Sequence, residues 1–161
     1  MEAATAPSSV LEVSHLCKSF AGLKAVDDVS FTVRTGEILG LIGPNGSGKS
    51  TTFNCIAGML KPSAGSVKLA GEEIAGLTAD AACRKGIGRT FQIPRPFRSM
   101  TVVENLLVAL DFAVHDHTYS RAEATSEVRQ ILDKMGLAAK ADTLSSQLSQ
   151  VELRKMELAR A

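Results

Sequence analysis

Nine residues in the first third of the chain have the types and the spacing needed to hold a phosphate group. The stretch "GPNGSGKST", residues 43–51, fits the pattern G-x-x-x-x-G-K-[ST]. Glycines let backbone N–H groups turn toward an anion, and a following helix adds the partial positive charge of its N-terminus. The pattern predicts that Lys49 meets the β- and γ-phosphates of a nucleotide and that Ser50 binds Mg²⁺. The other predicted phosphate-binding residues are Gly43, Asn45, Gly46, Ser47, Gly48 and Thr51.

An apolar strand and an amphipathic helix are the elements that must position this loop. The stretch "ILGLI", residues 38–42, is apolar on both faces and predicts a central parallel strand. After the loop, Phe53, Ile56, Ala57 and Leu60 recur at helical spacing and predict a helix with one buried stripe. Further predicted elements are strands at 11–16, 29–33 and 87–91, a hairpin at 66–74 and a short helix at 78–85.

The chain after about residue 97 is predicted to be helical. The stretch "PRPFRS", residues 94–99, is predicted to be a loop because it holds two prolines and shows no periodicity. Helix starts are predicted at two capping boxes, Thr101 with Glu104 and Ser120 with Glu123. The first helix is expected to end near residue 109, and Gly136 is expected to end the second, which buries Val128, Ile131, Leu132 and Met135. We therefore expect a disordered lead at 1–9, an α/β core at 10–96 and a helical subdomain at 97–161.

Composition excludes several classes of protein. The formal net charge of the 161 residues is +1 with no basic stripe, which argues against a nucleic-acid partner. Cys17, Cys55 and Cys83 are far apart and form no CxxC pair, which fits a reducing compartment. The N-terminus lacks the pattern of a signal peptide, and no apolar run is long enough to span a bilayer. Any role at a membrane is therefore expected to come through a partner.

Three further motifs make the chain resemble the ATP-binding subunits of ABC transporters, from about Leu11 to the last residue. They are "KSF" with Phe20, "GRTFQ" with Gln92, and "LSQVELRKMELARA" at 148–161. The resemblance implies a P-loop NTPase core with an N-terminal antiparallel β subdomain and a helical subdomain, and it implies ATP and Mg²⁺ as cofactors. It also implies that Phe20 stacks on adenine, with a plain core residue as the alternative. Gln92, the Q-loop glutamine, would sense Mg²⁺ and the attacking water and touch the transport partner.

A longer stretch narrows the resemblance to one branch of that family. "GIGRTFQIPRPFRSMTVVENLLVA", residues 86–109, is similar to the importers of branched-chain and other hydrophobic amino acids, a branch that includes amide and urea importers. The resemblance implies transmembrane permease subunits as partners, with a docking surface at about 92–105. It also implies a second ATP-binding subunit, identical or different, and an indirect partnership with a periplasmic or extracellular substrate-binding protein. The implied location is the cytoplasmic, inner face of the cell membrane.

The sequence departs from the family at the signature motif Leu-Ser-Gly-Gly-Gln, where the Ser hydroxyl meets the γ-phosphate held by the opposite subunit. Ser149 is kept, but Gln150, Val151 and Glu152 replace the last three residues. Ser149 and Glu152 also form a predicted capping box. The charged helix that follows, "RKMELAR" at 154–160, is expected to be a solvated face. A Walker B Asp, a catalytic Glu and a switch His do not occur after the motif, so we expect the N-terminal portion of an ATPase, with the C-terminal part of the core missing and no hydrolysis by this chain alone.

Other interpretations fit the sequence less well. The stretch "LLVALD" at 106–111 imitates a Walker B strand, but it follows a capping box and Phe112 takes the place of the expected Glu. A metal site at His115, Asp116 and His117 is less favoured than a solvated polar loop. A chromosome-maintenance ATPase would need a long coiled coil, and only 56 residues separate Gln92 from Ser149. The open alternative is a regulatory module or non-catalytic half-site that holds nucleotide without hydrolysing it.

Overall fold

The computed structural model describes residues 9–113 and 120–161. Its contacts divide the chain into two compact units, Met1–Lys85 and Gly86–Ala161, and each is described by itself. The expected disordered lead falls almost entirely outside the described residues, while Ser9 begins the first strand. His115, Asp116 and His117 also lie outside the described residues. The expected domain boundary at 96/97 stays a prediction.

A four-stranded antiparallel sheet forms the frame of the first unit. Its strands are β1 (Ser9–Phe20), β2 (Leu23–Arg34), β3 (Ala64–Leu69) and β4 (Glu72–Glu73), in the order β2-β1-β3-β4. The first two are longer than predicted because they continue into a tight hairpin at Ala21 and Gly22, where both residues have positive φ. The hairpin predicted after residue 66 is confirmed as β3 and β4.

Among residues 9–85, two helices accompany this sheet, α1 (Lys49–Ile56) and α2 (Ala79–Arg84). Helix α1 packs against β1 and β2 and buries Thr52, Cys55 and Ile56. Burial raises the pKa of the Cys55 thiol because the thiolate would lose its hydration. The predicted buried stripe is wrong at Phe53, which is 51% exposed, and the helix ends before Leu60. The stripe is confirmed at Ile56 and Ala57, which are buried, but Thr52 and Cys55 take the place of Phe53 on the buried face.

Two predicted strands, the central parallel strand at 38–42 and the strand at 87–91, are not strands in the structure. Residues 38–42 and 87–91 have no regular secondary structure, and Ile38 and Ile42 are 99% and 92% exposed. A strand exists only when its N–H and C=O groups pair with a neighbour, and no described residue forms a ladder with either segment. The apolar pattern therefore identifies segments suited to burial in a sheet, and the described residues do not supply that sheet.

In the described part of the second unit, three helices pack around an apolar core. They are α3 (Val102–Ala113), α4 (Arg121–Lys134) and α5 (Gln150–Arg160), with short 3₁₀ turns at Ala138–Lys140 and Ser145–Gln147. The core residues from all three helices and the connecting turns are Val102, Val103, Leu106, Leu107, Ala124, Val128, Leu132, Leu137, Ala141, Leu148 and Met156. Burial of Val128 and Leu132 confirms the predicted face of α4. Ile131 and Met135 are partly buried and pack against the same core. Helix α3 runs past the predicted end near residue 109, which confirms that "LLVALD" is helical.

The predicted helix starts are confirmed by their hydrogen bonds. The N–H of Thr101 donates to the carboxylate of Glu104 at 2.8 Å, and Ser120 with Glu123 forms a reciprocal capping box. At the other end of α4, Gly136 has a φ of +66° and its N–H donates to the carbonyl of Asp133. These caps fix where each helix begins and ends, and so fix the loops between them.

Candidate functional site

The phosphate-binding loop is an exposed turn that leads directly into α1. Gly46 and Gly48 have φ values of +85° and +86°, and Gly48 is the N-cap residue of the helix. No side chain caps α1, and its first turn holds no acidic residue. The helix therefore presents its first N–H groups and its positive dipole end without a competing carboxylate.

Lys49 places a positive charge inside this turn. Its ammonium donates to the carbonyls of Gly43 and Pro44 at 2.6 and 2.7 Å and to the Ser47 hydroxyl at 3.4 Å. These acceptors are neutral, so the charge of Lys49 is not balanced by a carboxylate at these bonds. An anion at the loop would meet backbone N–H groups and a full cation together, which is the arrangement that phosphate requires. The residues present therefore fit a nucleotide phosphate.

Gly48 is required where the loop meets the sheet. A Cβ added at Gly48 would lie 2.2 Å from the carbonyl oxygen of Ala25 on β2. By contrast, a Cβ at Gly46 would meet nothing within 4 Å, although its φ is almost the same. Close packing of backbone against backbone at Gly48 thus holds the loop on β2, while the space beside Gly46 stays open.

Phe20 lies at the end of β1, on the sheet that the phosphate loop approaches at Gly48. It pairs with Leu23, two residues before Ala25, so strand geometry places it within about 10 Å of the carbonyl that contacts Gly48. Its side chain is 44% exposed, and the Lys18 ammonium lies 5.0 Å from its ring centre. The alternative of Phe20 as a core residue is wrong on this exposure. An exposed ring near the loop is available to stack on a base.

Gln92 lies in the second unit, on an irregular loop whose far end is hydrogen-bonded to Asn105. Its side chain is exposed, and Ile93 beside it is also exposed. Asn105, fully buried on α3, accepts from the N–H of Phe97 at 2.8 Å and donates to the carbonyl of Phe97 at 3.1 Å. The same amide donates to the carbonyl of Thr101 at 2.9 Å. Hydrogen bonds to a buried amide therefore hold the end of this proline-containing loop, at Phe97, against α3.

Ser149, the last predicted site residue, is the N-cap of α5. Its N–H and its hydroxyl both donate to the Glu152 carboxylate at 2.8 Å, and the Glu152 N–H donates back to the hydroxyl at 3.3 Å. Hydrogen bonds from the Ser149 backbone and then from its hydroxyl lower the pKa of Glu152, so the carboxylate stays ionised at neutral pH. A negative charge thus lies at the N-terminal end of α5, directly beside the Ser149 hydroxyl. Val151, in place of glycine, projects an exposed side chain beside it.

Comparison with known protein families shows to which family the chain belongs. The family described as ABC transporter matches residues 26–161, which include the phosphate loop, Gln92 and Ser149. The chain belongs to this family. Its antiparallel sheet and helical unit are the corresponding parts of an ABC ATPase cassette, as the sequence predicted.

Several curated ABC proteins are similar to this chain over most of its length. LivG of Salmonella typhimurium, a high-affinity branched-chain amino acid transport ATP-binding protein, is 39% identical over 94% of the chain. BraF of Pseudomonas aeruginosa, with the same description, is also 39% identical over 94%. LptB of Haemophilus influenzae, a lipopolysaccharide export ATP-binding protein, is 37% identical over 95%. The chain spans about two thirds of these relatives, 64%, 64% and 62% of their lengths in the same order.

Solved ABC cassettes share the fold. The ADP conformation of MJ1267, an ATP-binding cassette of an ABC transporter, superposes with a TM-score of 0.82 at 33% identity, covering 95% of this chain and 64% of that one. A nucleotide-free ATP-binding cassette gives 0.80 at 33% identity, covering 96% and 64%. Within residues 9–113 and 120–161, no helix is both long and apolar enough to cross a membrane, and no cluster of His, Cys, Asp and Glu could hold a metal ion.

Two buried residues of the ABC helical unit were missed by the sequence analysis. Asn105 stands in the "MTVVEN" stretch that marks the branch, but the stretch alone gave it no role. Glu157 stands in "RKMELAR", which was expected to be a solvated face. That expectation is wrong, because Met156 and Glu157 are both buried. No helical pattern indicated the burial of Glu157, because its hydrogen-bond partners lie more than 60 residues earlier in the chain.

Proposed function

We propose that the complete protein is the ATP-binding subunit of an ABC importer for branched-chain or other hydrophobic amino acids. The observation that carries the proposal is the loop at 43–51, which combines an uncapped helix N-terminus, two glycines with positive φ and the ammonium of Lys49. Identity of 39% with LivG and BraF supports the choice of substrate class. The resemblance of the stretch at 86–109 to the importers of hydrophobic amino acids supports the same branch.

ATP with Mg²⁺ would be bound by the first unit. Lys49 would neutralise the β- and γ-phosphates, and the Ser50 hydroxyl would bind Mg²⁺. The exposed ring of Phe20 would stack on adenine. Backbone N–H groups of the loop and the hydroxyl of Thr51 would complete the phosphate contacts. Because phosphoryl transfer to water depends on positioning and charge neutralisation, these residues would hold the triphosphate while water is placed by others.

The second unit would connect the nucleotide to transport. Gln92 would sense Mg²⁺ and the attacking water, and the exposed side chains of Ile93 and Phe97 would contact a transmembrane permease subunit. We infer that two ATP-binding subunits, identical or different, close on ATP at the cytoplasmic face of the membrane. A substrate-binding protein on the other side would supply the amino acid, so its contact with this subunit is indirect.

Calorimetric titration of Mg-ATP against the complete subunit tests the proposal. Lys49→Ala should lower the affinity at least about 100-fold, because loss of a charge-assisted contact to phosphate costs several kcal/mol in a partly desolvated site. Lys68→Ala, which removes an exposed lysine from β3, is the matched control and should leave the affinity within about twofold. Equal dissociation constants for Lys49→Ala and the wild type would contradict the assignment of the loop.

A second candidate is a subunit that binds nucleotide without hydrolysing it, favoured by the end of α5. There the Ser149 hydroxyl donates to Glu152 of its own helix, and Val151 stands where the family has glycine. Phosphate release by the complete subunit separates the two candidates. Turnover that depends on Lys49 supports the importer ATPase, whereas Mg-ATP binding with no phosphate release supports the non-hydrolysing half-site.

A further inference from the structure

Glu157 is a buried carboxylate that the nucleotide chemistry proposed above does not use. It lies on α5, seven residues after Gln150, and is only 6% exposed. Burial of a carboxylate is costly unless hydrogen bonds or opposite charges compensate. The partners of Glu157 therefore indicate what the residue does.

Those partners are backbone groups on either side of Gln92. The N–H of Phe91 donates to Oε1 of Glu157 at 3.3 Å, and the N–H of Arg95 donates to Oε2 at 3.4 Å. Each carboxylate oxygen thus holds one end of the segment 91–95. Gln92 is contained in that segment, so its backbone position is fixed by α5.

Arg160, one turn later on α5, strengthens the same attachment. It donates to the carbonyl of Arg95 at 2.9 Å, lies 3.9 Å from the Glu157 carboxylate, and stacks over the ring of Phe97 at 5.2 Å. Glu157 and Arg160 together bind both the N–H and the C=O of Arg95. The segment is therefore held to α5 by charged side chains, whereas Phe97, two residues after it, is held to α3 by the neutral amide of Asn105.

Helix α5 connects Glu157, which holds the segment 91–95, to Ser149 of the signature motif. Ser149 caps its first turn, and Glu157 is eight residues later, about 12 Å along the axis. A helix of this length without proline or glycine moves as one body. A displacement of the capped end at Ser149 would therefore displace the backbone beside Gln92.

We propose that Glu157 is a positioning residue that fixes Gln92 by binding the backbone on both sides of it, so that the signature helix and the Q-loop move together. The inference deepens the proposed function and rests on it for the role of Gln92. The attachment itself rests only on contacts within the second unit. The two parts are tested by separate measurements.

Amide hydrogen exchange of the 161-residue chain, resolved by residue with NMR, tests the attachment. Glu157→Gln keeps the shape but offers one acceptor oxygen in place of two, so the amide of Phe91 or of Arg95 should exchange about tenfold faster or more. The amide of Phe97, held by Asn105, should be unchanged. Glu127→Gln, an exposed glutamate of α4, is the control and should leave all three rates within about twofold.

Two exchange results would overturn the attachment. Wild-type rates at both Phe91 and Arg95 in Glu157→Gln would show that the carboxylate does not hold them. Equal acceleration at Phe91, Arg95 and Phe97 would show a general loss of stability instead of a local attachment. If Glu157→Gln does not fold, Glu157→Asp, which keeps the charge but shortens the reach, provides the same comparison.

Steady-state phosphate release by the complete subunit tests positioning. Glu157→Gln should lower kcat about tenfold and leave the KM for Mg-ATP within about twofold, because the phosphate loop belongs to the other unit. An unchanged kcat, or a KM that rises as much as kcat falls, would overturn the role. A wild-type subunit without Lys49-dependent turnover would instead refute the proposed function, and the exchange results would still decide whether Glu157 holds the segment.

Discussion

The approach of Gly48 to β2 allows a sharp test of why the phosphate loop needs glycine. In Gly48→Ala the new methyl carbon would lie 2.2 Å from the carbonyl oxygen of Ala25, more than 1 Å closer than ordinary van der Waals contact. The two atoms nearest to this methyl carbon are the carbonyl oxygen and carbon of Ala25, which belong to the backbone and cannot move aside by changing a rotamer. The loop or the strand must shift as a whole.

The expected loss of folding stability in Gly48→Ala has two terms. The first is a backbone term, set by the left-handed φ, and the second is a packing term, set by the contact with Ala25. A left-handed φ costs alanine about 1–2 kcal/mol, and the lower entropy of the unfolded chain returns about 0.4–1 kcal/mol. Overpacking against backbone adds about 1–3 kcal/mol. Gly22→Ala isolates the first term, because Gly22 has a φ of +89° and nothing within 4 Å of the added Cβ. We therefore expect Gly48→Ala to destabilise the chain about 2 kcal/mol more than Gly22→Ala does.

Denaturant unfolding of the chain, followed by circular dichroism, measures this difference, and Mg-ATP titration of the complete subunit measures its functional effect. Gly48→Ala should lower the unfolding midpoint below that of Gly22→Ala and should also weaken nucleotide binding. Gly22→Ala, at the hairpin turn, should keep the wild-type affinity within about threefold. Equal midpoints for the two variants would refute the argument that contact with Ala25 requires glycine at this position.

Two more expectations concern the base and the helix caps. Phe20→Ala should weaken ATP by about 1–3 kcal/mol while leaving inorganic triphosphate nearly unchanged, and equal losses for both ligands in calorimetry would exclude stacking on adenine. Hydrogen bonds from Ser120 lower the pKa of Glu123 in the folded chain, so its contribution to stability is present above the ordinary glutamate pKa of about 4.3 and is lost as the pH falls through the lower folded value. The free energy of unfolding, measured from pH 7 to pH 3, should therefore fall at the acid end with a slope that Glu123→Gln reduces, and an unchanged slope would contradict the cap.

Local features of this chain were predictable because their causes lie within a few residues. Ser120 needs only Glu123 to close a capping box, and Gly136 ends α4 because it can adopt a positive φ without strain. The phosphate loop was found for the same reason, since its glycines and Lys49 are specified by their spacing.

Features that depend on distant partners were predicted poorly. The segment 38–42 has the composition of a buried strand, but a strand is made by its neighbours, and the described residues pair with none of it. Glu157 was placed on a solvated face because charges are usually exposed. Its burial depends on N–H groups more than 60 residues earlier in the chain, which no helical pattern can reveal.

The segment at 38–42 also bears on how the phosphate loop is held. Ile38, Leu39 and Ile42 are exposed, and no charged residue occurs between Glu37 and Lys49. An apolar segment of this kind is normally paired with neighbouring strands, which cover its side chains on both faces. Because the segment runs directly into Gly43, any strand that pairs with it would also anchor the first glycine of the phosphate loop.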